Sequence, residues 1–173
     1  MIRTGEEYRD SIRAEREIHV NGERVNDVTV HPQFKPLVDI RARIYDLQHE
    51  AATRDIMTYT EAGETSAIGC KLPYTREDWW AKRRATDTVM NQVKGVVTRV
   101  GDETVGEMWS LYDGSDVLNE VDPRFAENIK RHVHKAVHGD PFHVSANTDP
   151  KGDRSKPPQE QDPDMLLLSL IHI

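Results

Sequence analysis

The chain has 173 residues, room for one ordinary domain with one complete core at most. Its 23 Lys and Arg against 30 Asp and Glu leave a net charge of -7 with no block of like charge, which excludes a duplex-DNA grip and leaves nucleic acid unexpected as a partner. With 36% apolar and 31% charged residues, the helices are expected to be narrow-faced and wet, and no segment approaches the roughly 20 apolar residues of a membrane span.

Met1 is followed by Arg3, Thr4, Glu6 and Glu7 without an apolar stretch, so no secretory signal is visible and a cytoplasmic setting is expected. Thr4 with Glu7 fits a capping box, and Tyr8 and Ile12 share a face of the short helix it opens. Asn21-Gly22 between Ile18/Val20 and Val25 predicts a tight hairpin, since both central residues of a type I′ turn need positive φ. After His31-Pro32, Leu37, Ile40, Ile44 and Leu47 recur at helical spacing, with Arg41 and Arg43 on other faces. Cys70 is the one cysteine; internal disulfides and multi-thiolate metal sites are excluded within the chain, and a small buried apolar role is expected. Thr75 with Asp78 starts a further helix in which Trp79, Val89, Met90 and Val93 can share an apolar side, until Gly95 interrupts it. Trp79 and Trp80 are expected to pack on a helical core rather than to form a stacking platform.

Gly101 to Tyr112 is another helical candidate, and Asp122-Pro123 supplies an N-cap and first-turn proline for a helix carrying Phe125, Ile129, Val133 and Val137, ended by Gly139. Arg124, Glu127, Lys130 and Arg131 read as its wet face. His134 and His138 could form an i, i+4 metal pair beside His132, yet no acidic ligand adjacent in sequence completes a set, and no metal is expected. From Pro141, Phe142 and Val144 suggest a strand, and Pro157, Pro158 and Pro163 forbid regular helix. The expected fold is thus mainly α: a helical domain over 1–140 with a small β-hairpin, then the truncated start of a β domain over 141–167. Residues 168–173, Leu-Ser-Leu-Ile-His-Ile, match the translation of CTG TCT CTT ATA CAC ATC, which resembles a transposon-end sequencing adapter. They are expected to be an adapter-derived tail, with a natural apolar tail as the alternative.

The densest polar constellation is Asn147-Thr148-Asp149-Pro150-Lys151-Gly152-Asp153-Arg154. Gly152 permits close backbone approach and Lys151 and Arg154 can neutralise phosphate oxygens, although the same residues also make an ordinary solvated turn. Thr4-Gly5-Glu6-Glu7-Tyr8, the Asn21-Gly22 hairpin, His31-Pro32 with Arg41-Ala42-Arg43-Ile44-Tyr45-Asp46, and the Thr148 to Arg154 run with Asp162-Pro163-Asp164 resemble one family. It is the flavin-dependent 4-hydroxyphenylacetate 3-monooxygenase and 4-hydroxybutyryl-CoA dehydratase family, and the likeness runs from Met1 to Leu167.

The resemblance implies a longer parent, similar in architecture to acyl-CoA dehydrogenases, of which this chain holds the first domain and the opening of the second and by itself is inactive. It implies FAD held by Asn147 to Arg154, reduced flavin from a separate reductase, a homo-oligomeric parent, and oxygen-dependent hydroxylation of an aromatic or phenolic compound in aromatic catabolism. The hydroxylase branch's substrate motif Arg-x-x-Asp-Tyr corresponds to Arg99 through Glu103: Arg99 and Asp102 match, and Glu103 stands at the tyrosine. The histidine of that branch aligns with Ser145, two residues from His143. These departures remove donors that would orient and help ionise a phenol and argue against 4-hydroxyphenylacetate itself. The dehydratase branch, acting on an acyl-CoA substrate, has cluster-binding cysteines where this chain has Gly95 and Arg99, so an iron-sulfur mechanism is not expected. No catalytic base is identifiable, and a non-enzymatic helical interaction module is the remaining alternative.

Overall fold

The computed structural model describes residues 2–13, 16–95, 103–143, 155–157 and 160, with backbone alone at 103 and 104. The chain divides into two units, residues 1–143 and 144–173.

Helix α1 (Gly5–Ile12) begins at the expected capping box: the Glu7 N–H donates to the Thr4 hydroxyl at 3.2 Å, and the Thr4 N–H donates to the Glu7 carboxylate at 2.7 Å. Strands β1 (His19–Val20) and β2 (Glu23–Arg24) pair antiparallel across Asn21 and Gly22, whose φ values of 52° and 86° give the predicted left-handed turn. Helix α2 (Lys35–Asp46) carries Pro36 in its first turn and uses two faces. Val38, Ala42 and Tyr45 pack with Tyr8 of α1, while Ile40, Ile44 and the following Leu47 face a second cluster. Leu37, expected on the buried stripe, is instead 56% exposed, and its neighbour Val38 takes the buried position.

The α1–α2 contact is close enough to require glycine at position 5. The Gly5 N–H donates to Asp46 Oδ1 at 2.8 Å, and a Cβ on Gly5 would lie 2.6 Å from the Ala42 carbonyl oxygen. Since that oxygen is backbone and cannot step aside, Gly5→Ala is expected to cost about 1–3 kcal/mol, read as a lower urea midpoint with unchanged slope.

Helix α3 (Arg54–Met57) leads into a second hairpin that the sequence reading did not contain, β3 (Thr58–Glu61) against β4 (Glu64–Ala67). Its turn places Ala62 at φ 50° and Gly63 at 84°. A 3₁₀ turn, Ile68–Cys70, then presents Ile68 to helix α4 (Arg76–Gln92). The predicted Thr75 and Asp78 capping box is present, and Asp78 is held down to about 2 by its ion pair with Lys71 and by the Thr75 hydroxyl and N–H. The buried side of α4 is made by Asp78, Ala85 and Val89, followed by Val93. Trp79 and Trp80, expected in the core, are 60% and 50% exposed; the face meeting α3 and the 3₁₀ turn is built of small residues with no room for indoles. Lys94 and Gly95 have φ values of 57° and 77°, and the Gly95 N–H donates to the Met90 carbonyl, which ends α4 as expected.

The last three helices are α5 (Glu103–Asp113), α6 (Ser115–Val121) and α7 (Pro123–Gly139). Val105, Met108 and Trp109 of α5 pack against Val133 and Ala136 of α7, with Ile129 and Val137 partly buried beside them. Phe125, expected on this face, is 47% exposed, and Ala126 takes the inward position. Asp122 caps α7 by accepting from the Arg124 N–H, and Arg124, Glu127, Lys130 and Arg131 are exposed as expected. Among the described residues the fold is mainly helical, with seven α-helices and two hairpins. Pro141 to His143 form no strand, and Val144 lies outside the described residues, as does most of the expected β-domain start over 141–167. No described helix is long and apolar enough to cross a membrane.

Candidate functional site

The residues expected to touch substrate and flavin fall almost entirely outside the described residues: Arg99, Ser145, and Asn147, Thr148, Asp149, Pro150, Lys151, Gly152, Asp153 and Arg154. Glu103 is the first residue of α5, described by its backbone alone, and residues 168–173 also lie outside. What the described residues do assemble is a cavity of about 90 Å³.

Five segments build the cavity. Helix α2 contributes Arg41, Ile44, Tyr45 and Gln48 just beyond its end; the β4 exit contributes Ala67 to Cys70; Met57 and Val105 come from α3 and α5; and Asp140 to His143 close it after α7. Ile44, Met57, Ile68, Val105 and Phe142 make most of the wall apolar, and a few polar groups converge on it, the usual character of a small-ligand site.

Asp140 organises the polar side. It ends α7 in the left-handed conformation, φ 44° and ψ 47°, and is only 6% exposed. The Arg3 N–H and the Gln48 side-chain amide donate to its Oδ2, both at 3.0 Å. Arg3 Nε and the Tyr45 hydroxyl donate to its carbonyl oxygen at 2.9 and 3.1 Å. One residue thus ties the entry to α1 and the end of α2 to the end of α7. Burial pushes the Asp140 carboxyl above its ordinary value and carries the Tyr45 phenol to about 12, although Arg3 pulls both the other way.

Arg41, Gln48 and His143 are incompletely satisfied. Arg41 Nη1, Gln48 Oε1 and His143 Nε2 are buried and have no hydrogen-bond partner among the described residues. The Arg41 guanidinium lies 4.2 Å from the Phe142 ring centroid, and burial lowers its pKa against the pull of Tyr8 and Tyr45. Burial, then neighbouring His132, lowers the pKa of His143, which keeps its ring neutral at pH 7. The sequence places Arg41 off the apolar stripe of its helix and within the family motif, and His143 beside Ser145; nothing local marks Gln48 or Asp140.

Cys70 is the small buried residue expected, its thiol pushed to about 12 by burial. Lys82, absent from the sequence reading, donates to the Gly69 and Ile68 carbonyls at 2.6 and 3.3 Å, and burial draws its ammonium down to about 8. His134 and His138 lie with ring centroids 4.1 Å apart and planes tilted by 44°, His138 meets Glu64 of β4 at 2.6 Å, and His132 turns instead toward His143. No group of three or more His, Cys, Asp or Glu among the described residues could hold a metal ion.

The model of the 4-hydroxyphenylacetate 3-hydroxylase N-terminal family matches residues 4–170, and the chain belongs to that family. It is 31% identical over 162 residues to the 4-hydroxyphenylacetate 3-monooxygenase oxygenase component of Thermus thermophilus, covering 93% of this chain and 33% of that protein. A crystal structure of an oxygenase component of 4-hydroxyphenylacetate 3-monooxygenase superposes with a TM-score of 0.77 at 29% identity, over 90% of this chain and 33% of that one. An oxygen-tolerant archaeal 4-hydroxybutyryl-CoA dehydratase from N. maritimus superposes with a TM-score of 0.75 at 25% identity, over 95% of this chain and 33% of that one. The chain therefore spans about a third of the length of the relatives it matches.

Proposed function

We propose that this chain is the N-terminal third of a flavin-dependent monooxygenase, the oxygenase component of a two-component system that takes reduced FAD from a separate reductase and hydroxylates a phenolic substrate. The observation that carries the reading is the family match over residues 4–170. It is supported by a neighbour solved in complex with FAD and 4-hydroxyphenylacetate, which superposes with a TM-score of 0.72 at 27% identity. In this reading residues 1–140 are the helical domain and 141–167 open the β domain. Asn147 to Arg154 hold the flavin, Arg99 faces the anionic oxygen of the substrate, and Glu103 and Ser145 line the same site. The parent works as a homo-oligomer in the cytoplasm.

Bound FAD would supply the two-electron chemistry that activates oxygen. The chain's own contribution is positioning. Lys151 and Arg154 neutralise phosphate oxygens, Gly152 lets the backbone approach, and the Arg99 guanidinium favours the ionised form of a phenol. With Glu103 and Ser145 in place of a phenol hydroxyl and an imidazole, the site does less to ionise its substrate. A phenol already acidified by electron-withdrawing substituents fits it best. The full-length gene product, given reduced FAD, oxygen and a panel of chloro-, nitro- and alkyl-phenols, is expected to form oxygen-dependent hydroxylated products fastest from the acidic phenols. Failure to retain FAD, or oxygen-independent turnover, would overturn the reading.

The likeness to the archaeal dehydratase supports a second reading, a CoA-ester dehydratase or isomerase lacking the iron-sulfur cluster. It predicts anaerobic conversion of a hydroxyacyl-CoA by the same full-length protein.

A further inference from the structure

We propose that Asn21 is a site of spontaneous deamidation, and that its isoaspartyl product opens the β1–β2 hairpin. The inference stands independently of the flavin reading.

Three observations carry it. The first is the residue that follows: of the six asparagines in the chain only Asn21 precedes a glycine, and both residues of that pair are exposed. Gly22 has no Cβ to keep its backbone nitrogen from the Asn21 side chain. That nitrogen attacks Asn21 Cγ; the new C–N bond closes a five-membered succinimide, and the side-chain nitrogen leaves as ammonia, taking the Gly22 amide proton. Water then opens the ring at either carbonyl and leaves aspartate or isoaspartate. The second observation is how lightly the turn is held. Asn21, at φ 52°, has to leave its left-handed conformation for the attack. The hairpin pairs only His19 with Arg24 and Val20 with Glu23, and beyond them the Val25 N–H donates to the Ile18 carbonyl at 2.8 Å. Three of the four paired residues are exposed and Val20 is half-buried, so opening gives up little apolar contact.

The third observation is the contrast with the other asparagines. Asn91, Asn119 and Asn128 lie within α4, α6 and α7, where the next backbone N–H belongs to the helical ladder and is held away from the side chain. Asn128 Oδ1 also accepts from Arg131 at 2.6 Å. Asn26 and Asn147 precede Asp27 and Thr148, whose Cβ atoms crowd the attacking nitrogen. Isoaspartate carries the main chain through its own side-chain carbon, which lengthens a two-residue turn by one backbone atom. A type I′ turn fixes the register of the strands it joins, so the longer link cannot keep both pairs.

The test ages the 173-residue chain in buffer at pH 6 and pH 8 and maps its tryptic peptides, in which Asn21 is the one asparagine between Glu17 and Arg24. Conversion of that peptide to its acid form is expected to be at least about tenfold faster than conversion at any other asparagine. It should run faster at pH 8 than at pH 6, with isoaspartate, read with an isoaspartyl methyltransferase, exceeding aspartate. Gly22→Ala is expected to slow conversion at least about tenfold. A Cβ there meets nothing within 4 Å, and its strain at φ 86° loosens the turn, which by itself would speed the reaction. In the isoaspartyl chain the Val25 amide is expected to lose its protection from hydrogen exchange while the Val38 and Val89 amides keep theirs. Conversion no faster at Asn21 than at Asn91, Asn119 and Asn128, an unchanged rate in Gly22→Ala, or an isoaspartyl chain with full protection at Val25 would overturn the proposal.

Discussion

Asp140→Ala is expected to destabilise the chain by about 3–5 kcal/mol, while Asp140→Asn stays within about 1 kcal/mol at neutral pH. Alanine removes the acceptor shared by the Arg3 N–H and the Gln48 amide, leaving two largely buried donors unpaired at about 1–3 kcal/mol each. It also puts a Cβ-bearing residue without a local hydrogen bond at φ 44°, a conformation that costs roughly 1–2 kcal/mol and that asparagine tolerates. Asparagine keeps an acceptor oxygen in place. Asp140→Gly separates the two effects, losing the hydrogen bonds without the backbone strain. The two conservative chains also differ in pH dependence. Burial raises the Asp140 carboxyl above its ordinary 3.8, so its contribution is complete below the unfolded value and declines as pH rises through the folded one. Between pH 4 and pH 8, urea unfolding should show the natural chain losing stability relative to Asp140→Asn. Parallel pH profiles, or an alanine variant within 1 kcal/mol of the natural chain, would refute this account of Asp140.

What could be read in advance was what is encoded locally. Thr4 with Glu7, Thr75 with Asp78, and Asp122 before Pro123 each form their cap within three residues, and Asn21-Gly22 holds its turn by its own φ preference. The β3–β4 hairpin escaped because Ala62 occupies a positive φ that asparagine would have advertised. Helix α6 escaped because none of its residues is buried, so it carries no apolar stripe to recognise. Trp79, Trp80, Leu37 and Phe125 misled for the opposite reason: size suggests burial, while Ala42, Ala85, Ala126 and Ala136 supply close helix contacts.

The cavity was hidden by sequence distance. Gln48 and Asp140 meet across 92 positions, and Arg3 and Asp140 across 137. No periodicity in a local window reports such a pairing. The family resemblance nevertheless contained part of it, since Gly5, Tyr8, Ala42, Tyr45 and Asp46, conspicuous as motif residues, are those that dock α1 on α2. Tyr8 and Tyr45 stack with ring centroids 5.1 Å apart, and Arg3 bonds the Tyr45 hydroxyl at 2.8 Å. Much of the motif that suggested a flavoenzyme is therefore explained here by packing, and the proposed substrate and flavin roles fall to Arg99 and to Asn147 to Arg154.

That division sets the second expectation of large effect. In the full-length gene product, restoring both groups with Glu103→Tyr and Ser145→His is expected to raise turnover of 4-hydroxyphenylacetate by about 10²-fold, the range a positioned acid-base pair contributes. Its effect on phenols already ionised at neutral pH should be much smaller, because they need no help in losing the proton. Each single substitution is expected to recover less than the square root of the combined gain, since the hydroxyl and the imidazole act on one oxygen and couple. The pH–rate profile gives the sharper reading. The natural protein should accelerate on 4-hydroxyphenylacetate as pH rises toward the phenol's own pKa, and the double variant should reach its plateau at lower pH. If the double variant leaves the profile unmoved while folding and retaining FAD, Glu103 and Ser145 do not line the substrate site.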